Sequence, residues 1–136
     1  MPYPLTFNLR YVYNSLEEGI TIPAVLRLND KTAYCDAKVD SGAQVCVFQR
    51  EVGEALELDI ENGRRIKLRS LGGSLIAFGH TVTLRTFDCE FDSVVYFAQD
   101  YGLPRNLLGR DGWLQKVRLA VVDYDAELYL SPYDAG

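Results

Sequence analysis

The stretch Asp40-Ser41-Gly42-Ala43 sets a carboxylate, a hydroxyl and a glycine on one short turn. Val39 precedes it and Val45-Cys46-Val47-Phe48 follows, so an acidic turn interrupts an apolar, strand-like run. Burying a carboxylate there is unfavourable unless something uses or neutralises it. The neighbours suit a use: Gly42 permits a tight turn and close backbone approach, and the Ser41 hydroxyl can bond to nearby main chain. Further along, Asn106-Leu107-Leu108-Gly109-Arg110-Asp111 carries an apolar pair and a glycine into Trp113-Leu114. Between the two segments, Leu71-Gly72-Gly73-Ser74 tips a hairpin pattern. Taken singly, Asp-Ser-Gly is a plain turn, Gly72-Gly73 a simple hairpin turn and Leu107-Leu108-Gly109 ordinary core. Their order along the chain makes them a set.

In that order the segments resemble the retropepsin-like family of aspartic proteases. Val39-Asp40-Ser41-Gly42-Ala43 is similar to the family's apolar residue, Asp, Ser or Thr, Gly, then Ala or Ser. Leu71-Gly72-Gly73-Ser74 resembles the small glycine-containing tip of its flap, and Gly79-His80-Thr81-Val82 the glycine-led strand that follows. Leu107-Leu108-Gly109 matches its apolar-apolar-glycine segment. Arg110-Asp111-Gly112-Trp113-Leu114 is similar to the family's Gly-x-Asp-Trp-Leu with one glycine inserted. The terminal stretch Val117 to Leu130 resembles the ending of cellular members rather than the shorter viral one. The likeness runs from about Ala24 to Leu130 within one expected domain, 1–136, of an all-β, closed, barrel-like fold with one or two short helices.

The resemblance implies a chemistry. Peptide hydrolysis without metal or covalent nucleophile needs one carboxylate to activate water and one carboxylic acid to protonate the carbonyl. Two aspartates about 3 Å apart do both, because like charges that close share one proton. This chain has a single such motif: Asp92-Ser93-Val94 lacks the glycine and Asp111-Gly112 lacks the hydroxyl residue. One copy implies a homodimer with Asp40 of each subunit on the two-fold axis. By the same resemblance Ser41 bonds across the axis, Gly42 offers its carbonyl to the substrate backbone, and Ala43 completes the turn. Leu107, Leu108, Gly109 and Arg110 back the turn, and the Leu71–Ser74 flap closes over an extended peptide or unfolded protein. No cofactor and no metal is expected.

Two positions depart from the viral pattern. Many viral members carry aspartate where this chain has Gln44, paired with the arginine that follows the second glycine, here Arg110. A charged pair is therefore expected to become at best a hydrogen bond between Gln44 and Arg110. The strand that interleaves viral dimers has no clear match. Two other functions stay open: a non-catalytic module of the same fold that binds extended peptide segments, and a dimeric interaction domain in which Asp40 has no chemical use.

Other chemistries fit less well. Ser41 with His80, the one histidine, lacks a Gly-x-Ser-x-Gly elbow, and His80 reads as a strand surface residue. Gly72-Gly73 lacks the Gly-x-x-x-x-Gly-Lys pattern of a phosphate cradle. Cys35, Cys46 and Cys89 are an odd count without close pairs, unlike a disulfide framework or a zinc site. Cys46 and Trp113 read as core, and the acidic pairs Glu17-Glu18 and Asp123/Asp125 as solvated turns. A net charge of −5 argues against nucleic acid and anionic membranes, because phosphate recognition needs a basic face. Met1-Pro2-Tyr3-Pro4 has no signal-peptide pattern, and no apolar run approaches the ~18 residues of a membrane span. The expectation is a cytoplasmic protein with reduced thiols.

The elements that must position these residues follow from periodicity. Nine tyrosines, six phenylalanines and many valines and leucines lean toward strands. Strands are expected at Thr6–Tyr13, Ile20–Leu28 with Pro23 at an edge, Thr32–Val39, Val45–Phe48, Ile66 to the glycine tip, Leu75 to Leu84 and Leu107–Gly109, with a further hairpin or strand pair over Phe87–Phe97. A terminal hairpin is expected over Val117–Val122 and Glu127–Leu130. Val52, Ala55 and Leu56 suggest a short helix in Gln49–Leu58, weakened by Gly53. A second helix is expected over Asp111–Val117, capped by Asp111.

Overall fold

Period-2 alternation sets most of the architecture. In Thr21–Leu28 (β2), Ile22, Ala24 and Leu26 are buried, and in Cys89–Ala98 (β7) the inward positions include Val95 and Phe97. A computed structural model describes residues 1–70 and 72–135. Before β2 comes β1 (Leu9–Val12); after it come β3 (Lys31–Val39), β4 (Val47–Phe48), α1 (Arg50–Ala55), β5 (Arg64–Ser70) and β6 (Gly73–Thr86). β7 is followed by β8 (Asn106–Leu108), β9 (Val117–Val122) and β10 (Glu127–Pro132). The described residues are mostly β, 53% strand and 11% helix.

Six strands close a barrel in the order β2-β3-β8-β4-β7-β6, sealed where Val25–Arg27 of β2 pair with Thr83–Arg85 of β6. Pro23 lies on β2 outside that second pairing, where its missing amide removes no ladder bond. β6 is 14 residues long and serves two structures. From Ala77 onward it pairs with β7, while Gly73–Gly79 pair with β5. Residues 73–76 have β5 as their one strand partner, so the β5–β6 hairpin projects beyond the barrel wall. The remaining strands make a separate sheet, β1-β10-β9, which explains why Leu9 and Tyr11 face the core while Arg10 and Val12 face solvent. No helix among the described residues is long and apolar enough to cross a membrane.

Several local expectations need correction. The first strand begins at Leu9 rather than Thr6, β4 is confined to Val47–Phe48, and Phe87–Phe97 holds no strand pair of its own: Phe87-Asp88 is the turn that leads into the single strand β7. The expected second helix is one 3-10 turn, Leu114–Lys116, and no side chain caps it. The side chain of Asp111 instead accepts bonds from Gln44 and Gln115. His80 is half-buried, its Nε2 2.8 Å from the Ile60 carbonyl and its ring beside Phe97. That nitrogen carries the proton in this contact, because a carbonyl oxygen only accepts.

In α1 the buried residues are Val52 and Gly53, whereas Ala55 is exposed. Gly53 is the contact point of the helix: a Cβ there would lie 2.9 Å from Cδ1 of the fully buried Phe97 and 3.0 Å from Cδ1 of Ile60. The glycine that weakens the helix by propensity is what lets it sit on the barrel. Gly53→Ala should therefore lower stability by roughly 1–2 kcal/mol, overpacking outweighing a propensity gain of about 1 kcal/mol. Thermal or denaturant unfolding checks this; a stabilised variant would mean that the helix can lift off freely.

Candidate active site

Asp40 ends β3 at the point where two chain segments cross. Its amide donates to the Leu108 carbonyl at 3.0 Å, continuing the parallel β3–β8 ladder by one residue. The chain then turns at once. The Ala43 amide donates to the Asp40 carbonyl at 3.1 Å, and the Gly42 amide donates to Asp40 Oδ1 at 3.0 Å. One carboxylate oxygen is thereby fixed by the turn that carries it. Asp40 is half-buried, and Ser41 and Gly42 are exposed at the apex.

The second segment holds the far limb of the turn. The Arg110 amide donates to Ala43 and the Asp111 amide to Gln44, at 2.9 and 2.8 Å. Gln44 Nε2 donates to Asp111 Oδ2 at 3.0 Å. The expected Gln44–Arg110 contact is thus replaced by Gln44–Asp111, and the Arg110 side chain stays exposed, its backbone alone joining the crossing. Gly109 sits at the crossing itself: a Cβ would stand 2.2 Å from the Val45 carbonyl oxygen and 2.7 Å from that of Ala43. Leu108 and Gly109 are buried behind the turn, whereas Leu107 reaches the open side. Behind them Trp113 is fully buried, its indole N–H donating to Thr86 Oγ1 at 3.0 Å.

A cleft of about 950 Å³ opens over the turn. Asp40, Gly42 and Ala43 line one side and Gly72, Gly73 and Ser74 of the projecting hairpin another. Of the segment at the hairpin tip, Leu71 lies outside the described residues. The structure therefore brings together the acidic turn, the glycine tip and Leu107, which are far apart in sequence.

A third wall went unread in the sequence. Asp100 to Pro104 border the cleft, and no residue type in this stretch singles it out in the sequence. Long-range bonds fix this wall: Gln49 Nε2 donates to the Leu103 carbonyl at 2.8 Å, and Arg50 to the Gln99 carbonyl at 2.8 Å. Tyr101 donates its hydroxyl to Glu54 and lies beside the Arg50 guanidinium, which also pairs with Glu61. Arg50 holds the Glu61 carboxyl below the usual range. Buried Asn106 clamps the base, accepting from the Gln49 amide and donating to the Asp36 carbonyl. No local pattern announces these partners, because each bond spans many residues.

The thiols are poor nucleophiles. Burial pushes Cys46 up to about 12, and Cys35 likewise; Cys89 reaches about 11 for the same reason. Cys46 touches the crossing, its sulfur accepting from the Gly109 amide at 3.4 Å, yet it is neutral near pH 7. Asp40 is the carboxylate carried by the turn itself, and a carboxylate that faces a cleft can exchange protons with a molecule there.

Two outcomes follow from the crossing. Gly109→Ala should destabilise the chain by roughly 3 kcal/mol or more, since backbone oxygens and not flexible side chains meet the added Cβ. Denaturant unfolding measures this, and a near-neutral variant would mean that the crossing is loose. In the native state a water-soluble thiol reagent should label Cys46 only at the rate of unfolding; rapid labelling would contradict the buried, neutral thiol.

Comparison with known proteins agrees with this geometry. Residues 24–111 match the sequence profile of a family described as aspartyl protease. Among solved structures the chain is similar to a retropepsin-like aspartic protease from Rickettsia conorii, with a TM-score of 0.64, 18% identity, and coverage of 90% of this chain and 97% of that one. It is also similar to EIAV protease, solved with the inhibitor HBY-793, with a TM-score of 0.53, 20% identity, and coverage of 78% and 88%. At these identities the likeness is one of fold. No curated protein sequence matches the chain. The matched residues contain both limbs of the crossing, from Asp40 to Asp111, and the chain belongs to the retropepsin-like aspartic protease family.

Proposed function

We propose that this chain is an aspartic endopeptidase that works as a homodimer, with Asp40 of each copy forming one catalytic pair. The observation that carries the reading is a half-buried carboxylate, tied at one oxygen by the Gly42 amide, on the floor of a cleft roofed by a glycine-tipped hairpin. The chain supplies one such turn, so the pair requires a second copy.

The reaction follows from sharing one proton between two carboxyls. The ionised member takes a proton from water as its oxygen adds to the peptide carbonyl carbon. The protonated member gives its proton to the carbonyl oxygen, leaving a neutral gem-diol. Collapse of the diol returns a proton to a carboxylate, delivers one to the departing nitrogen and breaks the C–N bond. Gly42 positions the carboxyl and Ser41, at the apex, holds the facing turn. Leu107, Leu108, Gly109 and the Arg110 backbone keep Asp40 from drifting. Gly72, Gly73 and Ser74 belong to the flap that excludes water. Leu68, Leu75, Leu103 and Leu107 give the cleft an apolar lining suited to the side chains of an extended or unfolded polypeptide.

Asp40→Asn tests this reading. Asparagine keeps the Oδ1 that accepts from Gly42, so the fold and the melting temperature near neutral pH should be unchanged. Hydrolysis of an unfolded protein should fall to background. Activity that survived in a folded Asn variant would remove the proposal and leave peptide binding without cleavage. The wild type should show a bell-shaped pH profile, since only the singly protonated pair is competent, and should bind statine-type mimics of the diol tightly. A rate that rises steadily into alkaline pH would point to a different catalyst.

A further inference from the structure

The β5 strand concentrates positive charge in a chain whose net charge is −5. Arg64, Arg65, Lys67 and Arg69 occupy a six-residue stretch with no acid among them, and all four are exposed. Five cations elsewhere, Arg10, Arg27, Lys31, Arg50 and Arg105, each pair with a glutamate. Among the described residues, no ion pair and no side-chain hydrogen bond involves any of the four on β5. Their partners across the hairpin are no help, for Arg65, Lys67 and Arg69 stand opposite Phe78, Ile76 and Ser74.

The backbone of the same strand has an open side. Among the described residues, β5 is terminal in its sheet and pairs with β6 alone. Which of its groups face outward can be derived. The Gln99 amide donates to the Ile76 carbonyl at 2.9 Å, so the backbone of Ile76 points toward β7, away from β5. Lys67 lies opposite Ile76 in the antiparallel ladder, so its N–H and C=O point away from β6 toward solvent. Alternation gives Arg65 and Arg69 the same orientation. The three residues with outward backbone groups are thus three of the cations, and period 2 sets their side chains on one face of the sheet.

From this coincidence we infer that the outer edge of β5 is a docking site for an extended, acidic segment of another polypeptide, added as a further strand. The incoming backbone pairs with Arg65, Lys67 and Arg69. Acidic side chains at every second position then lie about 5 Å from the cations on the shared face. Charge on an edge strand also guards against aggregation. Here the guard is one-signed, so it repels a second copy of this edge and admits an acidic strand. A nucleic acid would use the charges and leave the outward amides and carbonyls without partners, which favours a polypeptide. Leu68 and Arg69 also border the cleft, so the docked segment runs toward its mouth. The inference does not depend on catalysis.

The test uses the full chain carrying Asp40→Asn, so that no probe is cut. The probes are a short fluorescein-labelled peptide with glutamate at every second position, the same peptide with glutamine replacing glutamate, and a single-stranded oligothymidine. Anisotropy at low ionic strength should show the acidic peptide binding at least about tenfold more tightly than either control. Binding should weaken as salt is added. Arg65→Glu with Lys67→Glu should abolish it without changing the melting temperature. In the protein without those charge reversals, the peptide should slow amide exchange at Arg65, Lys67 and Arg69. Equal affinity for the glutamine peptide, tighter binding of the oligonucleotide, or protection appearing away from β5 would each overturn the inference.

Discussion

The close crossing of two backbone segments at Gly109 is the constraint on which the rest of this structure depends. The turn at Asp40 has few means of its own to hold its shape: one bond across its ends and one from Gly42 to the carboxylate. The segment from Leu108 to Asp111 supplies the remainder, accepting from Asp40 on one limb and donating to Ala43 and Gln44 on the other. A strand that clamps both limbs must pass within van der Waals contact of them, and the space at Gly109 admits no Cβ. Each main-chain bond contributes only about 1 kcal/mol net. Their collective effect is to leave the carboxylate one position relative to the barrel.

The barrel turns this local clamp into a site. β8 reaches the crossing because it lies between β3 and β4, and β4 reaches it because it is wedged between β8 and β7. β6 belongs both to the barrel wall and to the projecting hairpin, so the roof of the cleft grows out of the same strand that seals the barrel. The acidic turn is anchored from several directions, whereas residues 73–76 of the hairpin have β5 as their strand partner and lie beyond the β6–β7 ladder. A rigid floor and a lighter roof suit a site that must admit a chain and then exclude water.

Much of this was legible in the sequence, and the reasons are physical. Strands with one wet face betray themselves by alternation, as Ile22-Ala24-Leu26 do, and the turn at Asp40-Ser41-Gly42 carries its own residue chemistry. The order of Asp40-Ser41-Gly42, the glycine tip and Leu107-Leu108-Gly109 indicated the family and with it the barrel. What escaped was whatever depends on a distant partner. Gly53 read as a helix breaker because its contact, Phe97, is in another strand. Asp111 read as a cap because Gln44 is remote. The wall from Asp100 to Pro104 carries no local signal, because Gln49, Arg50 and Glu54, at and near a helix far upstream, hold it.

On the proposed function, a single chain carries half of a catalytic pair at Asp40. Mixing tests it most directly. Wild-type chain is held at a fixed concentration and titrated with the Asp40→Asn chain under conditions of subunit exchange, and peptide hydrolysis is followed. If two copies of Asp40 share one proton, hydrolysis falls toward zero as mixed dimers replace wild-type ones, in proportion to the remaining wild-type dimer. Hydrolysis that stays constant however much Asn variant is added, with exchange verified, would show that one chain suffices and would contradict the account.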